Sequence, residues 1–143
     1  MSCAAYKDGV LAADTRAYGG SWQASPGQKA KIHLLEDGTR VAITSATVGA
    51  PDRFLAWLKA GAVPEEFGAG DPACSVLLVK PDGSVFLARD SLYFSGPLDC
   101  KQYAIGSGCD YALGAMAMGA SAEDAVRIAC QLDPHSGEPV QVL

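Results

Sequence analysis

The chain predicts an α+β fold in which helices cover a pair of packed β-sheets. Three observations carry this. Short apolar runs flank Asp-Gly dipeptides at Asp8-Gly9, Asp37-Gly38 and Asp82-Gly83, and Asp-Gly is a strong hairpin signal because both positions accept a positive φ. An amphipathic stretch follows the second hairpin, and two more helical stretches come near the end of the chain. Several strand runs are apolar without strict alternation, as sheets covered on both faces require.

Taken in order, residues 2–6 and 10–14 form the first hairpin around Lys7-Asp8-Gly9. Residues 17–28 are rich in Gly, Ser, Pro and Gln, and read as a loop with a brief strand around Trp22. The second hairpin pairs residues 29–35 with 40–47. A helix starts near Pro51, which suits the first helical position; Phe54, Leu55 and Leu58 give it an apolar stripe and Gly61 ends it. Residues 61–72 form a surface connection. A third hairpin joins 74–79 to 85–88 through Pro81-Asp82-Gly83, and a strand follows at 101–105. Helices at 109–118 and 122–131 are separated at Gly119-Ala120, where Ser121 and Asp124 resemble a capping box. Residues 140–143 read as a last short strand. With no linker and no repeat, residues 1–143 form one domain, long enough for a real core.

Composition narrows the function. Hydrophobic residues make up 49% and charged residues 19% of the chain, which argues for a folded globular protein. The net charge is −5 and the eleven Lys and Arg are scattered without a basic stripe, so nucleic acid is not an expected partner. The longest apolar stretch, around residues 111–120, is dotted with glycine and falls short of the roughly 20 residues that span a bilayer. No basic region followed by an apolar one marks a secretory signal at the N-terminus. Five cysteines without a CxxC pair suggest neither a disulfide framework nor a zinc site. They read as buried free thiols in a reducing cytoplasm. No metal or cofactor is expected.

The first hairpin carries the chemistry. A strand at the chain start, a tight turn and a return strand ending in Asp14 would set a backbone α-amine beside a buried carboxylate. A terminal amine has a pKa of about 7.7–8.0, near enough to neutrality to activate a neighbouring hydroxyl. Ser2 supplies that hydroxyl, provided Met1 is removed.

The stretch Ala104-Ile105-Gly106-Ser107-Gly108, followed by Tyr111-Ala112-Leu113-Gly114-Ala115, stands with Asp14, Lys31 and Asp133-x-x-Ser136-Gly137 in a telling order. In these residues the chain resembles the proteasome β-subunit family and its bacterial relative, the HslV peptidase. It looks closest to the short proteasome-like proteins of phages and prophages. The likeness runs nearly end to end, with one helix where the family usually carries two between residues 47 and 74, and a short tail after Gly137. The resemblance implies the four-layer αββα sandwich of the N-terminal nucleophile hydrolases, with a shortened helical layer.

It also implies roles. Ser2 aligns with the family's N-terminal threonine, its hydroxyl attacking a carbonyl while its own amine takes the proton. Lys31 aligns with the catalytic lysine, whose ammonium favours the neutral amine; Asp14 would hold it, and Lys29 is a weaker candidate. Ser107, Asp133 and Ser136 match the polar groups that support the nucleophile. The plainer readings are a structural ion pair for Asp14 and Lys31, a helix cap for Ser107, and a post-helix turn for Asp133 and Ser136. The family's oxyanion donor is a backbone N–H at a glycine about a dozen residues after the lysine, with a second glycine just beyond. Counting lands on Ile43 and then near Ala46, and no glycine occurs from Thr39 to Val48. His33, His135, Trp22 and Trp57 read as satisfied polar or packing residues.

Three functions compete. The resemblance favours a peptidase acting on peptide or protein substrates inside a homo-oligomeric ring, with an unfoldase ATPase as partner by analogy only. The missing glycines and the shortened helical layer favour a ring or scaffold without efficient catalysis. A small-substrate amidohydrolase on the same fold is the third.

Overall fold

The Asp-Gly turns close where the sequence puts them. The computed structural model describes residues 2–17 and 27–143; Met1 and the brief strand expected around Trp22 lie outside the described residues. Strands β1 (Ala4–Lys7) and β2 (Val10–Asp14) are antiparallel, with Ala4 opposite Ala13 and Lys7 opposite Val10. Asp8 and Gly9 between them both take positive φ, 50° and 84°, the geometry of a hairpin turn whose twist matches its strands.

Two short strands, β3 (Arg16–Ala17) and β4 (Gly27–Gln28), pair with each other. The second sheet follows as β5 (Ile32–Leu34), β6 (Arg40–Thr44), β7 (Ser75–Val79) and β8 (Val85–Arg89), antiparallel and in that order. The first sheet is completed by β9 (Gln102–Ile105) beside β1 and β10 (Val140–Val142) beside β2, giving the order β10-β2-β1-β9. Both strands of the second hairpin are shorter than expected. Residues 27–28, expected in the loop, pair with β3, and the Lys29 N–H donates to the Thr15 carbonyl at 2.8 Å, so β5 begins only at Ile32. The chain leaves β6 after Thr44, where Ser45 Oγ accepts the Thr47 N–H at 2.9 Å; such a local bond competes with the ladder.

Helix α1 (Ala50–Lys59) carries Pro51 and Asp52 in its first turn, and a short 3-10 turn at Pro64–Glu66 lies in the connection that follows. Helices α2 (Cys109–Ala117) and α3 (Ala122–Leu132) pack on each other, and Ser121 Oγ caps α3 by accepting the Asp124 N–H at 3.1 Å.

Strand alternation sorts the core into three clusters. Cys3, Ala5, Ala12 and Ala104 face Ala112, Met116, Ala125, Val126 and Ala129 of the paired helices. The opposite side of the first sheet, with Ala4, Tyr6, Leu11, Ala13 and Ile105, meets Ile32, Ala42, Leu77, Val79 and Val85 of the second. On that sheet's far side, Val41, Ile43, Val76 and Ala88 pack against Phe54, Trp57 and Phe67. Among the described residues the architecture is α+β, with three α-helices packed on two four-stranded antiparallel sheets. Among the described residues no helix is long and apolar enough to cross a membrane.

Candidate active site

The end of β2 delivers Asp14 to the interior with no exposed surface. A bare carboxylate there would be very costly. Four donors meet it instead. Lys31 Nζ lies 2.8 Å from Oδ2, which also accepts the backbone N–H of Gly137 at 3.1 Å and of Arg16 at 3.2 Å. The Cys3 N–H reaches Oδ1 at 2.9 Å. The carboxylate therefore ties together the strand start, the turn after β2, the approach to β5 and the turn after α3. Lys31 is itself anchored at both backbone groups: its N–H donates to Gln141 Oε1 at 3.0 Å, and its carbonyl accepts the Ile43 N–H at 2.9 Å.

A second group of residues surrounds the nitrogen of Ser2. After β9, Gly106 takes φ +95°, and a Cβ there would stand 2.1 Å from the Ser2 carbonyl oxygen. At Gly108 a Cβ would come 2.9 Å from Cys3 Cβ and 3.1 Å from Ala129 Cβ. Only glycine permits this approach. The chain thus passes directly over Ser2, and the Gly108 N–H donates to the Ser2 carbonyl at 3.1 Å. Between the glycines, Ser107 Oγ accepts the Ser2 N–H at 3.0 Å and donates to Asp133 Oδ2 at 2.7 Å. Ser136 Oγ donates to the same Oδ2 at 2.6 Å, and the His135 N–H reaches Oδ1 at 3.1 Å. Burial pushes the Asp133 carboxyl up, but the bonds from Ser136, Ser107 and the His135 backbone outweigh it and leave the pKa below the ordinary carboxylate range. Ser107 does not cap α2, whose N-cap is Gly108 without a side-chain bond.

Ser2 and Lys31 border one cavity of about 320 Å³, which Ile43, Ala46, Arg16 and Lys29 also line. The structure therefore brings Ser2, Asp14, Lys31, Ser107, Asp133 and Ser136 into one connected neighbourhood. Ile43 needs a correction. Its N–H, expected to serve an oxyanion, is already bound to the Lys31 carbonyl, because β6 and the segment before β5 continue their ladder at that pair. The Ala46 N–H, on the same cavity, has no hydrogen-bond partner among the described residues.

The sequence reading did not anticipate Gln141 or Ser45. Gln141 reaches Lys31 across 110 positions of chain, and no local signal could reveal it. Ser45 did carry one, since Ser-x-Thr favours the turn that ends β6. The histidines do not border the cavity, and burial, then Lys59 and Lys29, lower the pKa of His33. Cys3 packs in the helix-facing core, where burial, then Asp14, push its thiol far up; a protonated, enclosed thiol is a poor nucleophile.

No family model matches the sequence, and no curated protein matches it by sequence. Solved structures do. Thiobacillus denitrificans BPH, a bacterial proteasome homologue, is 25% identical with a TM-score of 0.65, covering 99% of this chain and 95% of that one. The same protein in complex with epoxomicin is 25% identical with a TM-score of 0.63, over 99% of this chain and 96% of that one. Eukaryotic HslV from Trypanosoma brucei has a TM-score of 0.66 at 19% identity, over 99% and 97% of the two chains. From end to end, the chain is therefore similar in fold to a bacterial proteasome homologue and to an HslV, the two kinds of protein in the proteasome β-subunit and HslV-type family.

Proposed function

We propose that the protein is an N-terminal nucleophile hydrolase that cleaves peptide bonds through Ser2 after Met1 is removed. The observation that carries this is the convergence on Ser2. Its nitrogen meets the Ser107–Asp133–Ser136 set, and its residue shares a cavity with Lys31, which Asp14 holds. While bonded to Met1, the Ser2 nitrogen is a peptide donor only. Removal of Met1 makes it an amine with a lone pair.

That amine takes the proton of Ser2 Oγ, directly or through a water, as Oγ attacks the substrate carbonyl. The Lys31 ammonium disfavours a second positive charge nearby and so keeps the amine neutral. The carbonyl oxygen, now an oxyanion, is received by the Ala46 N–H; one such donor contributes on the order of 100–1000-fold in rate. The amine returns its proton to the leaving nitrogen, the C–N bond breaks, and water then hydrolyses the Ser2 ester. On this reading the order of helix pair, sheet, sheet and helix is the αββα sandwich of that hydrolase class. The working form is a homo-oligomeric ring in the cytoplasm, and an ATPase partner enters by analogy alone.

A second reading is a ring-forming scaffold without efficient catalysis. The Ile43 N–H is occupied, and Ala46 puts a methyl where a glycine would leave room for an extended chain. Intact mass and inhibitor labelling separate the two. Hydrolysis predicts loss of the Met1 mass and an epoxomicin adduct in the wild type that is absent from Ser2→Ala. It also predicts an acidic limb of kcat/KM at or below about 7.7, moved upward in Lys31→Ala. Complete retention of Met1 would reject catalysis through Ser2.

A further inference from the structure

The cavity beside Ser2 has a one-sided charge. Among the described residues that border it, the ionisable side chains are Arg16, Lys29 and Lys31, and none is acidic. Lys31 is committed to Asp14 in a buried pair, and Arg16 donates to the Pro134 carbonyl at 2.9 Å. Lys29 differs. Its ammonium meets Asp52 in the first turn of α1, and since Lys29 and Pro51 both line the cavity, the pair sits at its edge. The two side chains are 44% and 61% exposed, so the pair is solvated and readily exchanged. Asp52 stays favoured at the N-terminal end of its helix even without Lys29, so exchange strands no buried charge.

We infer that Lys29 is a specificity-determining residue, selecting peptides with a carboxylate side chain on the residue whose carbonyl Ser2 attacks, and that Asp52 occupies its ammonium until substrate arrives. The inference rests on the hydrolase reading for its ligand class. The side chain of the attacked residue leaves the backbone one bond from the reacting carbonyl, so it enters the space that Ser2 borders. Ala30, Ile43 and Ala46 line that space with apolar surface for its methylenes, and Lys29 offers the carboxylate a charge-assisted bond. Asp52 then acts as an internal competitor. Neutralising Asp52 and neutralising Lys29 must push the preference in opposite directions. A pair that only tied the segment before β5 to α1 would respond to both changes in the same sense.

The test uses tripeptide amides ending in Glu or its uncharged isostere Gln at the cleaved bond, with kcat/KM measured on the full-length protein. The wild type is expected to prefer Glu by about 10-fold. Lys29→Gln brings the ratio near one, and Asp52→Asn raises it several-fold. In parallel, Ser2→Ala protein, alone and combined with each substitution, is titrated with the N-acetyl tripeptide acids ending in Glu or Gln, and the ratio of Kd values is read. A Glu preference in binding without Ser2-dependent turnover would overturn the hydrolase reading and uphold Lys29 as a selector. A Glu-to-Gln ratio of kcat/KM at or below one, a Glu-to-Gln ratio of Kd at or above one, or a preference that both substitutions move the same way, overturns this inference.

Discussion

At the scale of single residues, the site depends on two buried carboxylates whose oxygens are satisfied by different partners. Asp14 has a cation and three backbone donors; Asp133 has two hydroxyls and one N–H. Removing one partner of a buried ion pair typically costs about 3–5 kcal/mol, since the other charge stays enclosed. The three N–H donors left on Asp14 put Lys31→Ala at the low end, about 3 kcal/mol, measurable by urea unfolding. A loss below about 1 kcal/mol would mean that the pair is not held as described. For Asp133 the folded pKa lies below the unfolded value, so its contribution is full above the unfolded value of about 3.9 and lost as pH falls through the lower folded one. Asp133→Asn should therefore lower stability at pH 7 and flatten the decline that the wild type shows below about pH 4. Equal acid sensitivity in the two proteins would show that other carboxylates set that slope.

At the scale of elements, the β9–α2 turn holds Ser2 in place, and two glycines close in sequence face opposite demands. Gly106 combines φ +95° with a Cβ position 2.1 Å from the Ser2 carbonyl, so Gly106→Ala adds backbone strain and a clash of about 2–5 kcal/mol together. Gly114 lies within α2, where a Cβ would meet nothing within 4 Å, so Gly114→Ala should add about 0.5–1 kcal/mol of stability to the isolated chain. Thermal unfolding of the two variants checks the opposite signs. The same contrast explains what the sequence could reveal. The hairpins were legible because an Asp-Gly turn is encoded in two adjacent residues, and the α3 cap because Ser121 and Asp124 are three apart. The trimmed β5, the early end of β6 and the β3–β4 pair depend on partners far along the chain or on Ser45 bending its own backbone. Ile43 was misread for the same reason. Counting from Lys31 finds a position but cannot tell that its N–H faces the Lys31 carbonyl inside a ladder. The residues around Ser2 were legible only as a set, since each alone has an ordinary structural explanation.

At the scale of the whole molecule, the distribution of apolar surface bears on assembly. α2 is apolar around much of its circumference, yet only Ala112 and Met116 of it are buried. Outside the core, Tyr111 is 43% exposed and Met118 90%, and Leu132 at the end of α3 is 57% exposed. Tyr111, Gly114 and Met118 are spaced three and four apart, so they share one stripe of α2; exposed apolar residues grouped on one face mark interaction surfaces, and Gly114 between them would let another backbone come close. If this face joins copies of the chain, closed symmetry requires a fixed stoichiometry, whereas a contact that does not close grows with concentration. Light scattering should therefore give a mass that is a whole multiple of 14.8 kDa and stays constant over about a tenfold rise in concentration. Met118→Glu, which sets a charge on that face without touching the core, should lower the mass and leave the unfolding midpoint of the dissociated chain nearly unchanged. Gly114→Ala supplies a second readout, because a methyl that stabilises the isolated helix would weaken a close-packed interface. A single-chain mass for the wild type at micromolar concentration would remove the ring from the proposed function, and catalysis would then have to be explained by a monomer.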